Sequence, residues 1–294
     1  MAFQVKGKTA LVTGGGSGIC LEFTKLLLSK GCNVLIADLN LTPDAEKFIS
    51  VHEKKEEGKA RAVFKMTDVT NWAQLQAAFD DCMGQFGTLD IMCPGAGVFE
   101  PPWSNFWNFK TSKDSIESNT YKTLEINITH PIRATQLALD YFKRQNHGHG
   151  TVIMISSPAA QALAFPVPLY GASKAAISSF TRSLGPLEPK LGIRVCAVAP
   201  GMVKTPLWTE DKMVWTKESD EWVTAEEVAR VMLDMLEKEE FVGGTVIEVG
   251  KGVTRKVEAV NDPGPDREAV GMRGGNMMEG VENAWGLIES EFGK

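Results

Sequence analysis

The sequence predicts an α/β fold: a doubly wound, mostly parallel sheet of seven strands with helices on both faces. Three features predict it. Short apolar runs alternate with helical patterns over most of the chain. A glycine cluster separates the first apolar run from the first helix, and an acidic residue closes the second run. Strands without in–out alternation belong to a sheet covered on both sides, and parallel neighbours need long crossovers between them.

Taken in order, Thr9–Thr13 (TALVT) is the first strand and the glycines after it form a tight loop. Residues 19–30 carry a helical pattern that Gly31 stops. Asn33–Asp38 (NVLIAD) is the second strand, followed by a helix over 43–57 with a charged outer face. A third strand over 60–66, a helix over Trp72–Phe86 and a fourth strand over 89–93 come next. Residues 115–145 hold one long helix or two. A strand over 151–156, an Ala- and Ser-rich helix over 171–187 and a strand over 193–199 continue the alternation. A helix over 225–238 and a strand over 245–249 complete it. The crossovers are expected to be right-handed.

Two segments break this rhythm. Residues 97–108 and 202–222 are long connections rich in large apolar side chains, Trp208, Trp215 and Trp222 among them. Such composition argues for ordered, functional loops. Residues 1–252 read as one domain and 253–294 as an irregular extension. Val281, Ala284, Trp285, Leu287 and Ile288 in that extension are spaced for a short helix. The extension can cover the site, join a subunit contact or hang free.

Composition narrows the function. A net charge of -6 over 294 residues offers no general attraction to nucleic acid or to an anionic membrane. The apolar fraction of 43% is that of an ordinary globular protein, and no stretch has the ~20 apolar residues that span a bilayer. Cys20, Cys32, Cys82, Cys93 and Cys196 are scattered and odd in number, with no Cys-x-x-Cys. Free, buried thiols in a reducing compartment follow, and no metal site is expected. With no secretory signal pattern at the start, the expected location is cytoplasmic.

The loop after the first strand points to a cofactor. Gly14, Gly16 and Gly18 let the backbone turn sharply and approach a pyrophosphate, and with Ser17 and Ile19 they lead into a helix N-terminus. Asp38 ends the second strand, 24 residues after Gly14, where a carboxylate can accept from both ribose hydroxyls and repel a 2′-phosphate. No Arg or Lys lies between Gly14 and Ile19, so the pattern favours NAD over NADP on a Rossmann-type fold. Farther on, Tyr170 and Lys174 stand four apart on one helix face, just after Ser156 and Ser157. A phenol is a poor base at neutral pH, but a nearby ammonium lowers its pKa, so the pair can transfer protons.

These motifs, in this order, resemble the short-chain dehydrogenase/reductase family from about Lys6 to Gly252. Thr13-Gly14-x-x-x-Gly18-Ile19 resembles its cofactor loop, Asp68-Val69 its adenine-contacting pair and Tyr170-Gly-Ala-Ser-Lys174 its active-site motif. Pro200-Gly201-Met202-Val203-Lys204-Thr205 resembles its segment beside the nicotinamide. The resemblance implies Tyr170 as general base or acid, Ser157 on the substrate oxygen, and Lys174 on the nicotinamide ribose. It implies that Asn127 supports a water beside Lys174. Gly95 and Ala96 join the cofactor contacts by position.

Two departures qualify the likeness. Cys20 stands where the family has a third loop glycine, and Pro94-Gly95-Ala96-Gly97 stands where it commonly has Asn-Asn-Ala-Gly. Within the family, residues 139–146 and the NAD signature are similar to 15-hydroxyprostaglandin dehydrogenases, whereas the Trp-rich loops are not.

Phe99, Trp103, Phe106, Trp107, Leu163, Phe165, Met202, Leu207, Trp208, Met213 and Trp215 supply an apolar pocket or lid. The expected activity is NAD-dependent oxidation of a secondary hydroxyl on a bulky hydrophobic small molecule, a steroid, terpenoid, polyketide or lipid. A specialised biosynthetic step suits such a substrate. The alternatives are an NADH-dependent ketone reductase and a noncatalytic dinucleotide-binding scaffold. Ala172, Ala175, Ala176 and Ser179 suit close helix packing, and the resemblance implies a homodimer or homotetramer.

Overall fold

A computed structural model describes residues 3–145, 148–162, 164–258, 285–286 and 289–290. The first strand, β1 (Thr9–Thr13), is wholly buried and pairs in parallel with β2 (Asn33–Asp38) on one side and β4 (Ile91–Pro94) on the other. The sheet grows outward from β1 in both directions. β3 (Ala62–Met66) lies beyond β2, and β5 (Gly150–Ile155), β6 (Ile193–Pro200) and β7 (Val246–Gly250) follow β4. All these pairs are parallel. The strand order therefore reverses between β1 and β4, and such a switch point opens a cleft at the strands' carboxyl ends.

Largely apolar strands supply both faces. Ala10 and Val12 of β1 pack beneath α1 (Gly18–Ser29) and α9 (Ala225–Glu237), with Phe23, Leu27, Val228 and Met232. Leu11 points the other way, toward Phe79 of α3 (Trp72–Phe86) and Phe142 of α5 (His130–Arg144). α3 is framed by its own sequence: the Asn71 side chain accepts from the N–H groups of Ala73 and Gln74, and Gly87 ends the helix at φ +79°. At α9 the side chain of Thr224 and that of Glu227 satisfy each other's backbone N–H groups.

The sheet has eight strands, not seven. β8 (Val253–Lys256), beyond residue 252, pairs antiparallel with β7. All four of its residues are exposed and two are charged, so no apolar pattern marks it. Backbone pairing and the contacts of Arg255 with Glu248 (2.8 and 2.9 Å) hold it, and its charge blunts the sheet edge.

Several helix limits also differ. α2 (Pro43–His52) ends five residues early, because residues 54–57 are all charged and have nothing to bury. The span 115–145 is helical only from Lys122, as α4 (Lys122–Leu124), a π-helical turn (Glu125–Thr129) and α5. α6 (Pro168–Ser183) begins three residues before the expected start, with Pro168 at a position where its missing N–H costs nothing. Pro186 separates it from α7 (Leu187–Leu191), and a four-residue α8 (Glu210–Met213) lies in the Trp-rich connection. In the extension, Trp285 sits 4.0 Å from the Lys190 ammonium. Val281, Ala284, Leu287 and Ile288 lie outside the described residues. All five cysteines are buried and free, and among the described residues no helix is long and apolar enough to cross a membrane.

Candidate active site

The glycines after β1 are dictated by crowding. A Cβ on Gly14 would sit 2.7 Å from Ala96 Cα, and one on Gly16 would sit 2.4 Å from Asn40 O. Gly14 and Gly18 also hold φ of +71° and +54°. Ser17 is extended and no side chain caps the first turn of α1, so its N–H groups are left for a ligand. At the tip of β2, Asp38 Oδ2 accepts from Gly16 N at 2.9 Å and Oδ1 from Leu39 N at 2.7 Å. Burial pushes this carboxyl up, against the pull of hydrogen bonds from the Gly16, Leu39 and Asn40 amides.

A cavity of about 720 Å³ runs from this loop across the strand ends. Gly14, Ser17, Gly18, Ile19, Asp38, Asp68, Val69, Gly95 and Ala96 line this cavity, and Pro200, Gly201, Val203 and Thr205 line it after β6. Gly16 lies behind the surface, under Asp38. Asp68 is held by Thr70, whose N and Oγ1 donate to Oδ1 at 2.9 and 2.7 Å. Burial works against its charge, but these bonds and the nearby Lys122 keep its carboxyl below the ordinary value. A floor without Cβ atoms, an uncapped helix N-terminus and a carboxylate at the β2 tip together fit a dinucleotide.

Tyr170 and Lys174, both buried, sit one turn apart on α6, and both line the cavity with Ser157. The Ser157 side chain accepts from Ala159 N at 3.2 Å, capping a short turn at Pro158–Ala160, and hydrogen-bonds the Tyr170 hydroxyl. Burial raises the phenol's pKa, and the Ser157 bond opposes it. Lys174 Nζ donates to Ile155 O at 2.9 Å and stands 5.4 Å from the Tyr170 ring centre. Burial takes this ammonium down to about 8. Ser156 does something different: it bonds Ser178 Oγ (2.7 Å) and Lys174 O (3.1 Å), tying β5 to α6.

Asn127 is in the π-helical turn and does not line the cavity. Its amide is engaged by Val98 N and Val98 O, both at 2.9 Å, and by Ser173 Oγ at 3.3 Å. It fixes the loop after β4, close to Lys174: a Cβ on Gly97 would lie 3.4 Å from Asn127 Oδ1 and 3.9 Å from Lys174 Nζ.

Sequence reasoning missed His130, which is fully buried. Its Nδ1 contacts Ile126 O at 3.1 Å, and a carbonyl can only accept, so the proton is on Nδ1. Nε2 then accepts from Thr13 Oγ1 at 3.0 Å, and Thr13 Oγ1 accepts from Ala96 N at 3.3 Å. A lone histidine in a helix carries no sequence signal for this. Glu100, also fully buried, was missed as well.

Beyond Tyr170 the cavity wall is aromatic. The Phe99 ring meets Tyr170 edge-on at 4.6 Å, and Trp208 and Trp215 pack on Phe99 at 5.3 and 6.0 Å. Trp222 backs Trp208 at 5.0 Å. Trp103, Met202 and Leu207 also line the cavity. Phe106, Trp107, Phe165 and Met213 do not line it, and Phe165 is 73% exposed. Leu163 lies outside the described residues.

Comparison with known proteins is consistent with this geometry. The family model for short chain dehydrogenases matches residues 8–213. The chain is 37% identical over 207 residues to 15-hydroxyprostaglandin dehydrogenase [NAD(+)] of Rattus norvegicus, covering 69% of this chain and 71% of that one. It is 30% identical over 221 residues to L-fucose dehydrogenase of Bos taurus, covering 71% of each. A crystal structure of a short chain dehydrogenase from Burkholderia cenocepacia in complex with NADP superposes with a TM-score of 0.69 at 26% identity. That match covers 84% of this chain and 97% of the other.

Proposed function

The chain belongs to the short-chain dehydrogenase family, and from that premise we propose that it is an NAD-dependent oxidoreductase oxidising a secondary hydroxyl of a bulky, largely apolar substrate to the ketone. The observation that carries this reading is the meeting of Tyr170, Ser157 and Lys174 on one cavity, beside a wall of Phe99, Trp208 and Trp215.

Bound NAD would supply the hydride acceptor. Tyr170 takes the carbinol proton, and Ser157 hydrogen-bonds the substrate oxygen as charge develops there. Making a phenol basic at neutral pH takes about 4 kcal/mol of differential stabilisation. Burial works against that, so the Lys174 ammonium is needed, and with a pKa of about 8 it stays mostly protonated at neutral pH. Lys174 would also hold the nicotinamide ribose. Asn127 acts one step removed, by fixing Val98.

Asp38 carries the preference for NAD, since its carboxylate repels a 2′-phosphate. The name of the rat relative agrees, and the NADP in the Burkholderia structure marks the competing cofactor. The bovine relative's name specifies a sugar. The aromatic wall here favours a larger, less polar substrate: a steroid, terpenoid, polyketide or lipid. Run in reverse with NADH, the same groups reduce a ketone. The assembly is expected to be a homodimer or homotetramer, with the exposed Ala172, Ala175 and Ser179 of α6 available for close packing.

A panel of hydrophobic secondary alcohols, followed by NADH absorbance, tests the activity. Tyr170→Phe should keep NAD affinity and cost turnover by about 100-fold or more. Near-normal turnover in that variant sinks the assigned role, and turnover of ketones alone reverses the direction.

A further inference from the structure

α6 begins without a cap of its own. The residue at its cap position is Val167, which has no acceptor in its side chain, and the first helical residue is Pro168. The N–H groups of Leu169 and Tyr170 are therefore orphans inside the protein. Their acceptor comes from 70 residues away. Glu100, in the loop after β4 and 0% exposed, places Oε2 2.8 Å from Tyr170 N and accepts from the Leu169 amide too. Its Oε1 accepts from Phe106 N at 3.1 Å, and its own carbonyl accepts from Asn105 Nδ2 at 3.0 Å.

Three further facts make this more than a loop anchor. Glu100 holds φ +43°, a left-handed conformation that a non-glycine residue adopts only when its surroundings force it. Its neighbour Phe99 lays its ring 4.6 Å from the Tyr170 ring, so consecutive residues grip Tyr170 by backbone and by side chain. The third fact is charge balance. A buried carboxylate is costly unless paired and hydrogen-bonded. Burial leaves the Glu100 carboxyl raised, and the three amides and the buried Lys212 ammonium oppose that rise. Lys212 Nζ stands 6.0 Å from the Phe99 ring centre and 5.0 Å from that of Trp215, and pairs with Asp211 at 2.6 Å.

We infer that Glu100 is a positioning residue for the proton-transfer step: by capping α6 at Tyr170 and setting Phe99 against the phenol, it couples the aromatic substrate wall to the placement of the Tyr170 hydroxyl. The inference rests on the assignment of Tyr170 as the proton-transfer group. It adds a link between wall and base that runs through the backbone of residues 99 and 100.

Glu100→Gln and Glu100→Ala test it. Glutamine keeps the shape but turns an NH2 toward a backbone N–H, and alanine removes the cap. Three readouts are taken: NAD affinity, kcat and KM with the best alcohol of the panel, and 19F NMR after 3-fluorotyrosine labelling. The chain has three tyrosines, so Tyr170 is assigned by its absence in Tyr170→Phe. The expected result is a kcat lower by about 100-fold in Glu100→Ala and less in Glu100→Gln, with KM and NAD affinity little changed. The Tyr170 resonance should move in both variants while those of Tyr121 and Tyr141 stay. An unmoved Tyr170 resonance or an unchanged kcat in a folded, NAD-binding variant overturns the inference. Failure of both variants to fold also overturns it, because scaffolding alone then accounts for Glu100. If the unaltered protein turns over no alcohol, the proposed activity fails, and the NMR result still decides whether Glu100 places Tyr170.

Discussion

His130 should make stability fall on the acid side more steeply than the rest of the protein explains. Its imidazole is wholly enclosed, donating from Nδ1 to Ile126 O and accepting at Nε2 from Thr13, so only the neutral ring fits. Burial lowers its pKa from 6.5 to about 4. Between these values the unfolded chain binds a proton that the folded one refuses, so stability rises with pH across that window. The contribution is fully present above 6.5 and is lost as pH falls toward about 4. From about pH 7.5 to about pH 5 the loss is about 2 kcal/mol. Urea unfolding at those two pH values, followed by tryptophan fluorescence, measures it against His130→Gln, which stays polar and cannot titrate. The raised carboxyls of Asp38 and Glu100 are common to both proteins and cancel in the comparison. The variant should lose about 2 kcal/mol less than the parent over the interval. Parallel losses would mean that the imidazole is charged, or exposed, in the folded protein.

Two further expectations come from the cleft. Asp38→Ala removes the carboxylate proposed to accept from the ribose diol, so NAD affinity should fall by about 10- to 100-fold while the NADP-to-NAD ratio rises; calorimetric titration with each cofactor checks this, and equal affinities before and after would remove Asp38 from the site. A Cβ on Gly95 would lie 2.2 Å from Cys20 Sγ. Gly95→Ala should therefore cost about 1–3 kcal/mol alone and less on a Cys20→Gly background, with a coupling of about 1 kcal/mol or more in a double-mutant cycle. Additive costs would show that the two positions do not compete for the same space.

Much of the sheet was legible because its signal is local. β1, β2 and α3 have the limits that apolar runs and helical patterning predict. The eighth strand was not, because β8 buries nothing and is held by backbone pairing and a salt bridge. The same division runs through the site. The glycine loop, Asp38, Ser157, Tyr170 and Lys174 announce themselves by residue type and spacing, and the structure brings all but Gly16 of that set to one cavity surface. Asn127 was legible as a residue but not in its contacts, which go to Val98 and Ser173. His130 and Glu100 were invisible for one reason. Each acts on a partner 117 or 70 residues away, and nothing near it in the chain hints at that partner.

The two departures from the family pattern look like separate losses in the sequence, and the one at Pro94 motivates a scaffold without activity. In the folded chain they fit each other. Where the pattern has a glycine, Cys20 adds a thiol that contacts the Cys93 thiol. Where it has an asparagine, Gly95 leaves out the Cβ that this thiol would strike. Pro94 has no N–H to donate, but it keeps parallel register with Thr13. The amide of Ala96, two residues on, is held by a chain that runs from Ile126 O through His130 and Thr13. Unselected drift would leave a void, a clash or an orphaned polar atom at such positions. Among the described residues, the buried side-chain atoms without a partner are Thr24 Oγ1 and Arg133 Nε, neither of them on the cavity. The departures are thus exchanges of one packing solution for another, and the noncatalytic alternative loses the observation that recommended it.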